Sequence, residues 1–296
     1  MAGDRPTLGI VGAGRVGSAL AHLLHDAGYR VAGVCSRTPA SAAILAGQVN
    51  APAFDSAADV ALRADLTLLC VPDDAIADMA AALAAHDLRG RAVVHTAGAH
   101  NASVLDAARA AGAQTGSLHP AFPFASRGAD VSLAGVMFAV EAESALLRRW
   151  LTDVVNSLGG YVLDVSPQDK ALYHAALVLV SNYTVTLYAL GEGLLRGLGA
   201  ERATADGALN ALLEATVDNL KRLGVPDALT GPLVRADSGT VAAHLAALAS
   251  VDAEIAGLYR QLARLSLPML AARNIPADEL ERVLREGERD HAADNP

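Results

Sequence analysis

The 296-residue sequence is poor in cysteine, aromatic residues and positive charge, and each shortage argues against a class of protein. Its two cysteines form no CxxC pair, which argues against a disulfide framework and a thiolate metal site. Aromatic residues make up 4%, the net charge is −9 and no basic run occurs, so we expect no nucleic acid partner. The nine histidines are scattered without an HExxH motif, so we expect no metal site.

Long uninterrupted apolar runs are also missing. The most apolar stretch, residues 171–190, is broken by His174 and by the polar residues 181–184, which predicts a buried helix and not a membrane span. Residues 1–6 are polar and lack the apolar segment of a signal peptide. Cys35 and Cys70 end predicted buried strands, as reduced core thiols do. We therefore expect a cytoplasmic protein that makes no membrane contact.

The pattern of apolar residues divides the chain into two parts. Before residue 165, continuous apolar runs alternate with alanine-rich helical stretches, which is typical of a parallel sheet covered on both faces. After residue 167 the helical period dominates. The sequence predicts a doubly wound α/β Rossmann domain over residues 1–165 and an all-α domain over residues 166–296. Strands are predicted at residues 7–11, 30–35, 66–71, 91–95, 136–140 and 161–165, and helices near 15–27, 168–198, 203–223, 241–249, 252–272 and 276–286.

A glycine loop, Gly12-Ala13-Gly14-Arg15-Val16-Gly17, follows the first predicted strand and begins a helix. In this setting Gly12 permits a tight turn and Gly14 lets the backbone approach a pyrophosphate. Gly17 lets the helix pack closely on the strand, and the helix N-terminus offers free N–H donors to the anion. The loop therefore predicts a dinucleotide-binding site formed by these six residues.

The end of the second strand favours NADP as the cofactor. NAD enzymes usually place Asp or Glu about 20 residues beyond the glycine loop, to bind the ribose hydroxyls. This chain has Ser36, Arg37 and Thr38 there, which can hydrogen-bond and pair with a 2′-phosphate. The alternative is that Arg37 only caps an exposed loop.

Two further strand ends are expected beside the cofactor, because ligands bind at the carboxyl edge of such sheets. Val71, Pro72 and Asp73 follow the strand at residues 66–71, although Asp73 or Asp74 can also serve as the N-cap of the next helix. His95 ends the strand at residues 91–95, where it either lies near the nicotinamide or is a core histidine with satisfied hydrogen bonds.

Several motifs outside the glycine loop resemble those of one family. The chain resembles Rossmann-like oxidoreductases with a C-terminal helical domain of unknown function, of the DUF2520 type. These are distantly similar to pyrroline-5-carboxylate reductase and to the 6-phosphogluconate and 3-hydroxyacid dehydrogenases. Where the family usually reads Arg-Gly-Asp this chain has alanine as the middle residue, which restricts the backbone. The matching segments are Val71-Pro72-Asp73-Asp74, His95-Thr96-Ala97-Gly98-Ala99, Leu118-His119-Pro120-Ala121-Phe122-Pro123-Phe124, Ser181-Asn182-Tyr183, Leu229-Thr230-Gly231-Pro232 and Arg235-Ala236-Asp237.

The resemblance implies a 6-phosphogluconate dehydrogenase-like helical domain and an NADP-linked redox reaction, without indicating a substrate. Because helical domains of this type commonly pair, we expect a homodimer that forms through this domain.

Candidate catalytic groups lie in three places. The first is a predicted loop with His119 and Pro120, which either binds the substrate or closes the site. The second is the helix after residue 168, where Lys170, His174 and Ser181 fall within about 40° of one another and Asn182 lies beside them. Related hydroxyacid dehydrogenases place a catalytic Lys, and an Asn one turn later, on this helix; here His174 takes the Asn position. Alternatively, Lys170 is solvated and Ser181 and Asn182 join helices.

The third place is the segment from Thr230 to His244. Arg235 can hold a substrate carboxylate and Asp237 can orient it, or the two form a structural salt bridge. Together these residues predict an NADP-dependent oxidoreductase that reduces a small, carboxylate-bearing carbonyl or imine in a cleft between the two domains. The alternatives are a non-catalytic NADP(H) sensor and a 3-hydroxyacid-type dehydrogenase that uses Lys170.

Overall fold

A single eight-stranded sheet organises the first part of the chain. The structure, a computed structural model, describes residues 5–125 and 131–293, so most of the polar opening segment lies outside the described residues. Short strands of apolar residues are followed by helices, as the sequence predicts, and the two strands at residues 53–54 and 114–120 are additional to the predicted ones. The strands are β1 (Leu8–Val11), β2 (Val31–Cys35), β3 (Ala53–Phe54), β4 (Leu66–Leu69), β5 (Ala92–His95), β6 (Gln114–Pro120), β7 (Met137–Ala142) and β8 (Tyr161–Asp164).

The strand order is β3-β2-β1-β4-β5-β6-β7-β8, and every pair except β6–β7 is parallel. The order reverses between β1 and β4, which is the switch point where doubly wound sheets bind ligands. The predicted parallel sheet is wrong at β6–β7, which are antiparallel, and the residues that the structure describes between these strands form no crossover helix. The predicted loop at His119 and Pro120 is also wrong, because both residues belong to β6. Strand β6 begins with the residues Gln-Thr-Gly-Ser, which lack the apolar run that predicts a strand.

Two hydrophobic cores cover the two faces of the sheet. On one face Ile10, Leu68 and Val140 pack against helices that include Leu20 and Trp150, the only tryptophan of the chain. On the other face a second core joins the sheet to three shorter helices. The helices of this part are α1 (Arg15–Asp26), α2 (Pro39–Gln48), α3 (Ala57–Ala61), α4 (Ile76–Leu83), α5 (Asp106–Ala110), α6 (Ala145–Ser157) and α7 (Lys170–Val180).

The remaining helices form a second compact unit with its own core, which includes Val241, Leu270 and Leu284. No helix in the described part of the chain has the length and apolar content needed to cross a membrane. The helix predicted over residues 168–198 is two helices, α7 and α8, separated by Ser181. The later helices are α8 (Asn182–Gly197), α9 (Arg202–Leu223), α10 (Ser238–Val251), α11 (Ala253–Ala272) and α12 (Asp278–Ala293).

The compact units divide after Tyr183, later than the change in composition at residue 165. The reason is that α7 is helical in sequence but docks on the sheet, through Lys170 and Tyr173. The domain boundary between residues 165 and 166 stays a prediction.

Candidate active site

The glycine loop makes a tight turn at the carboxyl end of β1. Gly12 has φ +105°, and a side chain there would collide with the backbone of Cys70. A side chain at Gly17 would collide with the carbonyl of Gly12, so α1 starts close against the strand. At Gly14 the space is open. The loop thus combines a close helix–strand contact with room beside the α1 N-terminus, as an anionic pyrophosphate requires.

A cleft of about 920 Å³ begins at this loop and extends past the end of β2. Ser36, Arg37 and Thr38 line it, and so do Val71 and Pro72 from the end of β4. Arg37 is exposed and makes no ion pair with any residue that the structure describes. Thr38 precedes α2 without using its hydroxyl as a helix cap. The cleft therefore offers a guanidinium and two hydroxyls to an anion, which fits a 2′-phosphate better than a bare ribose.

The two aspartates after β4 do not cap a helix, and that interpretation is wrong. A 3-10 turn, Asp73–Ala75, comes between the strand and α4, so both carboxylates lie within its first turn. Neither the 3-10 turn nor α4 receives a side-chain cap. The Asp73 side chain instead lies 3.9 Å from His100 Nε2.

His95 is a buried histidine whose two nitrogens are both used by its own loop. Its Nδ1 accepts a hydrogen bond from the Ala97 N–H at 3.2 Å, so Nε2 carries the proton and donates to the Asn101 carbonyl, also at 3.2 Å. Burial lowers its pKa to about 4. The structure thus favours the satisfied core histidine over a contact with the nicotinamide.

His119, Tyr173 and His174 form a cluster where β6 ends. His119 Nδ1 lies 2.8 Å from the Tyr173 hydroxyl, and the His174 ring is edge-on to His119 with centroids 6.1 Å apart. Both rings also border Gly98, where an added Cβ would come within 2.8 Å of His119 Nε2. Burial, reinforced by the charges of His174 and Lys170, lowers the His119 pKa to about 4. His119 is therefore neutral at physiological pH.

Lys170 precedes Tyr173 and His174 on α7 and is buried, with 1% of its surface exposed. Its ammonium donates to Ser117 Oγ at 2.5 Å and lies 4.0 Å from Glu141 Oε2. Ser117 and Glu141 are cross-strand partners on β6 and β7, so Lys170 attaches α7 to both strands. Burial lowers its pKa, and the Glu141 carboxylate opposes that shift. The alternative of a solvated lysine is wrong, because the first turn of α7 faces the sheet.

The remaining predicted residues lie after α7 or in the second unit. Ser181 and Asn182 are exposed beyond the end of α7. Arg235 and Asp237 lie in the second unit, before α10. There Asp237 accepts hydrogen bonds from the N–H and hydroxyl of Thr240 as the α10 N-cap, which lowers its pKa. The described residues show no Arg235–Asp237 salt bridge.

The sequence prediction did not include Tyr173 of this cluster. It also missed three residues that contact the cluster or Lys170: Ser117, Glu141 and Gly98. Tyr173 lies about 60° from Lys170 on the helical wheel, so the same polar stripe would have included it. Predicting Ser117 and Glu141 would have required knowledge of the pairing of β6 with β7, which no local sequence pattern indicates. Predicting Gly98 would have required knowledge of the fold of the loop after β5.

The candidate groups lie in sequence along one edge of the sheet. Arg37 follows β2, the glycine loop follows β1, Val71 follows β4, Gly98 follows β5 and His119 ends β6. These five strands are neighbours and parallel, so their carboxyl ends share this edge. At ~4.8 Å between strands the row spans about 19 Å. An extended dinucleotide bound along it would have its ends near β2 and β6.

The fold is shared with several solved oxidoreductases. A provisionally assigned NADP oxidoreductase from Bacteroides fragilis is 27% identical, with 88% of this chain and 97% of that chain covered and a TM-score of 0.69. A Streptococcus pyogenes 1-pyrroline-5-carboxylate reductase is 17% identical over 90% and 98%, with a TM-score of 0.62. The Aspergillus terreus reductive aminase in complex with NADPH and ethyl-5-oxohexanoate is 20% identical over 95% and 94%, with a TM-score of 0.60.

Two family models match this chain, and the second begins inside the first compact unit, before β7. No curated protein matches it significantly. Residues 1–120 match the model of the Rossmann-like domain, and residues 136–266 match that of DUF2520, a domain of unknown function. The chain therefore combines a Rossmann-like domain with a DUF2520 domain.

Proposed function

We propose that this protein is an NADP-dependent oxidoreductase that reduces a small, carboxylate-bearing carbonyl or imine. The observation that carries the proposal is the row of groups along the carboxyl edge of the sheet. An unpaired arginine lies at one end, the glycine loop in the middle and the His119 cluster at the other end. This order matches the 2′-phosphate, pyrophosphate and nicotinamide of an extended NADP.

The fit of the residues to the cofactor supports this assignment. Ser36, Arg37 and Thr38 would hold the 2′-phosphate, and the backbone of the glycine loop would hold the pyrophosphate. When bound, the reduced cofactor supplies a hydride. The S. pyogenes and A. terreus neighbours are named as a 1-pyrroline-5-carboxylate reductase and a reductive aminase, which agrees with reduction of C=N or C=O bonds.

The residues of the cluster take different parts in this proposal. His119 and His174 would contact the substrate. Lys170 is a positioning residue, because its buried ammonium is already bonded to Ser117 and serves to hold α7 on the sheet. This argues against a 3-hydroxyacid-type reaction in which Lys170 touches the substrate. Roles for Asn182, and for Arg235 as the carboxylate site, stay predictions.

Cofactor binding tests the first half of the proposal. We expect calorimetric titration to show tighter binding of NADPH than of NADH. Arg37→Ala should weaken NADPH binding about 10- to 100-fold, the loss of a charge-assisted pair, and leave NADH binding unchanged. Arg30→Ala is the matched control, since Arg30 is also exposed but lies at the opposite end of β2. Failure to bind either nucleotide, or equal loss of both in Arg37→Ala, would contradict the proposal.

Turnover tests the second half. We expect NADPH oxidation with at least one compound among α-keto acids, 2-ketopantoate-like compounds and cyclic imines. Tight NADPH binding without turnover in this screen would instead favour the NADP(H) sensor. The cytoplasmic location stays a prediction from the sequence.

A further inference from the structure

The proposed function leaves the Tyr173–His119 pair unexplained. The two residues come from different elements, α7 and β6, and their rings meet edge to face with centroids 5.7 Å apart. The Tyr173 oxygen and His119 Nδ1 are 2.8 Å apart, a normal hydrogen-bond distance. Because an imidazole has two nitrogens, the direction of this bond decides which nitrogen of His119 faces the site with a proton.

The surroundings of the Tyr173 hydroxyl fix the direction of the bond. Among the described residues, His119 Nδ1 is the acceptor within reach of this hydroxyl. The other group that acts on the oxygen is the backbone N–H of Ala139, which can only donate. Burial raises the pKa of Tyr173 to about 12, so the phenol keeps its proton. The hydroxyl therefore donates to Nδ1.

A neutral imidazole that accepts at Nδ1 must carry its single proton on Nε2. The Nε2 atom points towards Gly98 and the edge of His174, and it has no hydrogen-bond partner among the described residues. Gly98 packs against both rings, because an added Cβ would lie 2.7 Å from the His174 ring and 2.8 Å from His119 Nε2. A substrate oxygen or nitrogen that reaches Nε2 would meet an N–H donor.

We propose that Tyr173 is a positioning residue that holds His119 in the Nε2–H form, and that His119 acts as a neutral hydrogen-bond donor to the carbonyl oxygen or imine nitrogen. The second half of this inference rests on the proposed function, whereas the first half concerns the free protein. A fixed neutral donor stabilises charge that develops on the substrate atom without first having to bind a proton.

The first test is nitrogen-15 NMR of the histidine side chains in the free protein at neutral pH, with His119 assigned by its absence in His119→Gln. We expect Nε2 to be protonated in the wild type and both tautomers to be populated in Tyr173→Phe. Tyr161→Phe is the matched control, because Tyr161 lies on the edge strand β8 and is 67% exposed. Protonated Nδ1 in the wild type, or an unchanged tautomer in Tyr173→Phe, would overturn the proposal.

The second test is kinetic. In Tyr173→Phe we expect kcat to fall about tenfold with KM within about twofold, since a donor to the developing charge weakens while substrate contacts remain. An unchanged kcat would show that the tautomer does not matter for the reaction. If the NMR result holds but no substrate is reduced, the proposed function fails and the positioning role stands. If the enzyme reduces a substrate but NMR shows the proton of His119 on Nδ1, the proposed function stands and the positioning role fails.

Discussion

Ala236 has a backbone conformation that its side chain disfavours. Its φ is +51°, in the left-handed region that favours glycine, and it lies directly before Asp237, the N-cap of α10. The sequence resemblance marked this position, because it implies a glycine there. A left-handed alanine costs about 1–2 kcal/mol. The turn is kept because the Asp237 cap and the hydrogen bonds around it fix the backbone.

We expect Ala236→Gly to stabilise the second unit by about 0.5–1 kcal/mol, since relief of backbone strain exceeds the added entropy of glycine in the unfolded chain. Urea unfolding followed by circular dichroism measures this change. Ala243→Gly on the exposed side of α10 is the control, and it should destabilise by about 1 kcal/mol because its backbone is helical. Equal destabilisation by both variants would show that Ala236 is not strained.

Among the elements, the ends of β5 and β6 each hold a neutral histidine, which is buried at His95 and half-buried at His119. Burial disfavours the charged form of both rings, and the Lys170 ammonium near each of them adds to this effect. The pKa of each histidine is about 4, against about 6.5 in an unfolded chain. Between these values the unfolded chain binds protons that the folded protein does not. Stability is therefore lost as the pH falls from 6.5 towards 4.

His95→Gln should reduce this pH dependence, because glutamine can accept from the Ala97 N–H and donate to the Asn101 carbonyl without titrating. We expect the slope of unfolding free energy against pH to fall by about 1.4 kcal/mol per pH unit below about pH 6. Urea titrations followed by the fluorescence of Trp150, which reports on the first unit, measure the slope. His86→Gln removes an exposed histidine and should leave it unchanged. An unaltered slope in His95→Gln would show that His95 does not resist protonation.

The elements also show how far the sequence could be interpreted. Apolar runs predicted β1, β2, β4, β5, β7 and β8, and the glycine loop predicted the turn into α1. The helical wheel placed Lys170 and His174 on one face of α7, and that face packs on the sheet. The partners of this face could not be predicted, because β6 has a polar start and pairs with β7 over a distance that local periodicity does not reveal.

For the whole molecule, we propose that the second unit forms a homodimer. Large apolar side chains are exposed on its helices, among them Val185 at 69%, Leu212 at 63% and Leu265 at 71%. Exposed apolar surface of this kind is typical of an interface. Sedimentation equilibrium should give twice the 30.2 kDa chain mass.

Leu212→Lys should weaken this association, because it places a charge in apolar surface. Ala110→Lys adds the same charge to the exposed side of α5 in the first unit and should leave the mass unchanged. A monomer at every concentration in the unmodified protein would contradict the homodimer.

The antiparallel pairing of β6 and β7 decides the direction in which the chain approaches its own candidate site. Because β8 runs parallel to β7, the chain leaves the sheet at the edge opposite the glycine loop. Helix α7 must then travel back, passing Ser117 with Lys170 and reaching His119 with Tyr173. If β7 were parallel to β6, the chain would leave the sheet at the cofactor edge, and α7 would not run alongside β6 towards that edge. The antiparallel pairing of β6 with β7 thus gives the candidate site a second set of side chains, which lie on α7 as it runs alongside β6 towards the cofactor edge.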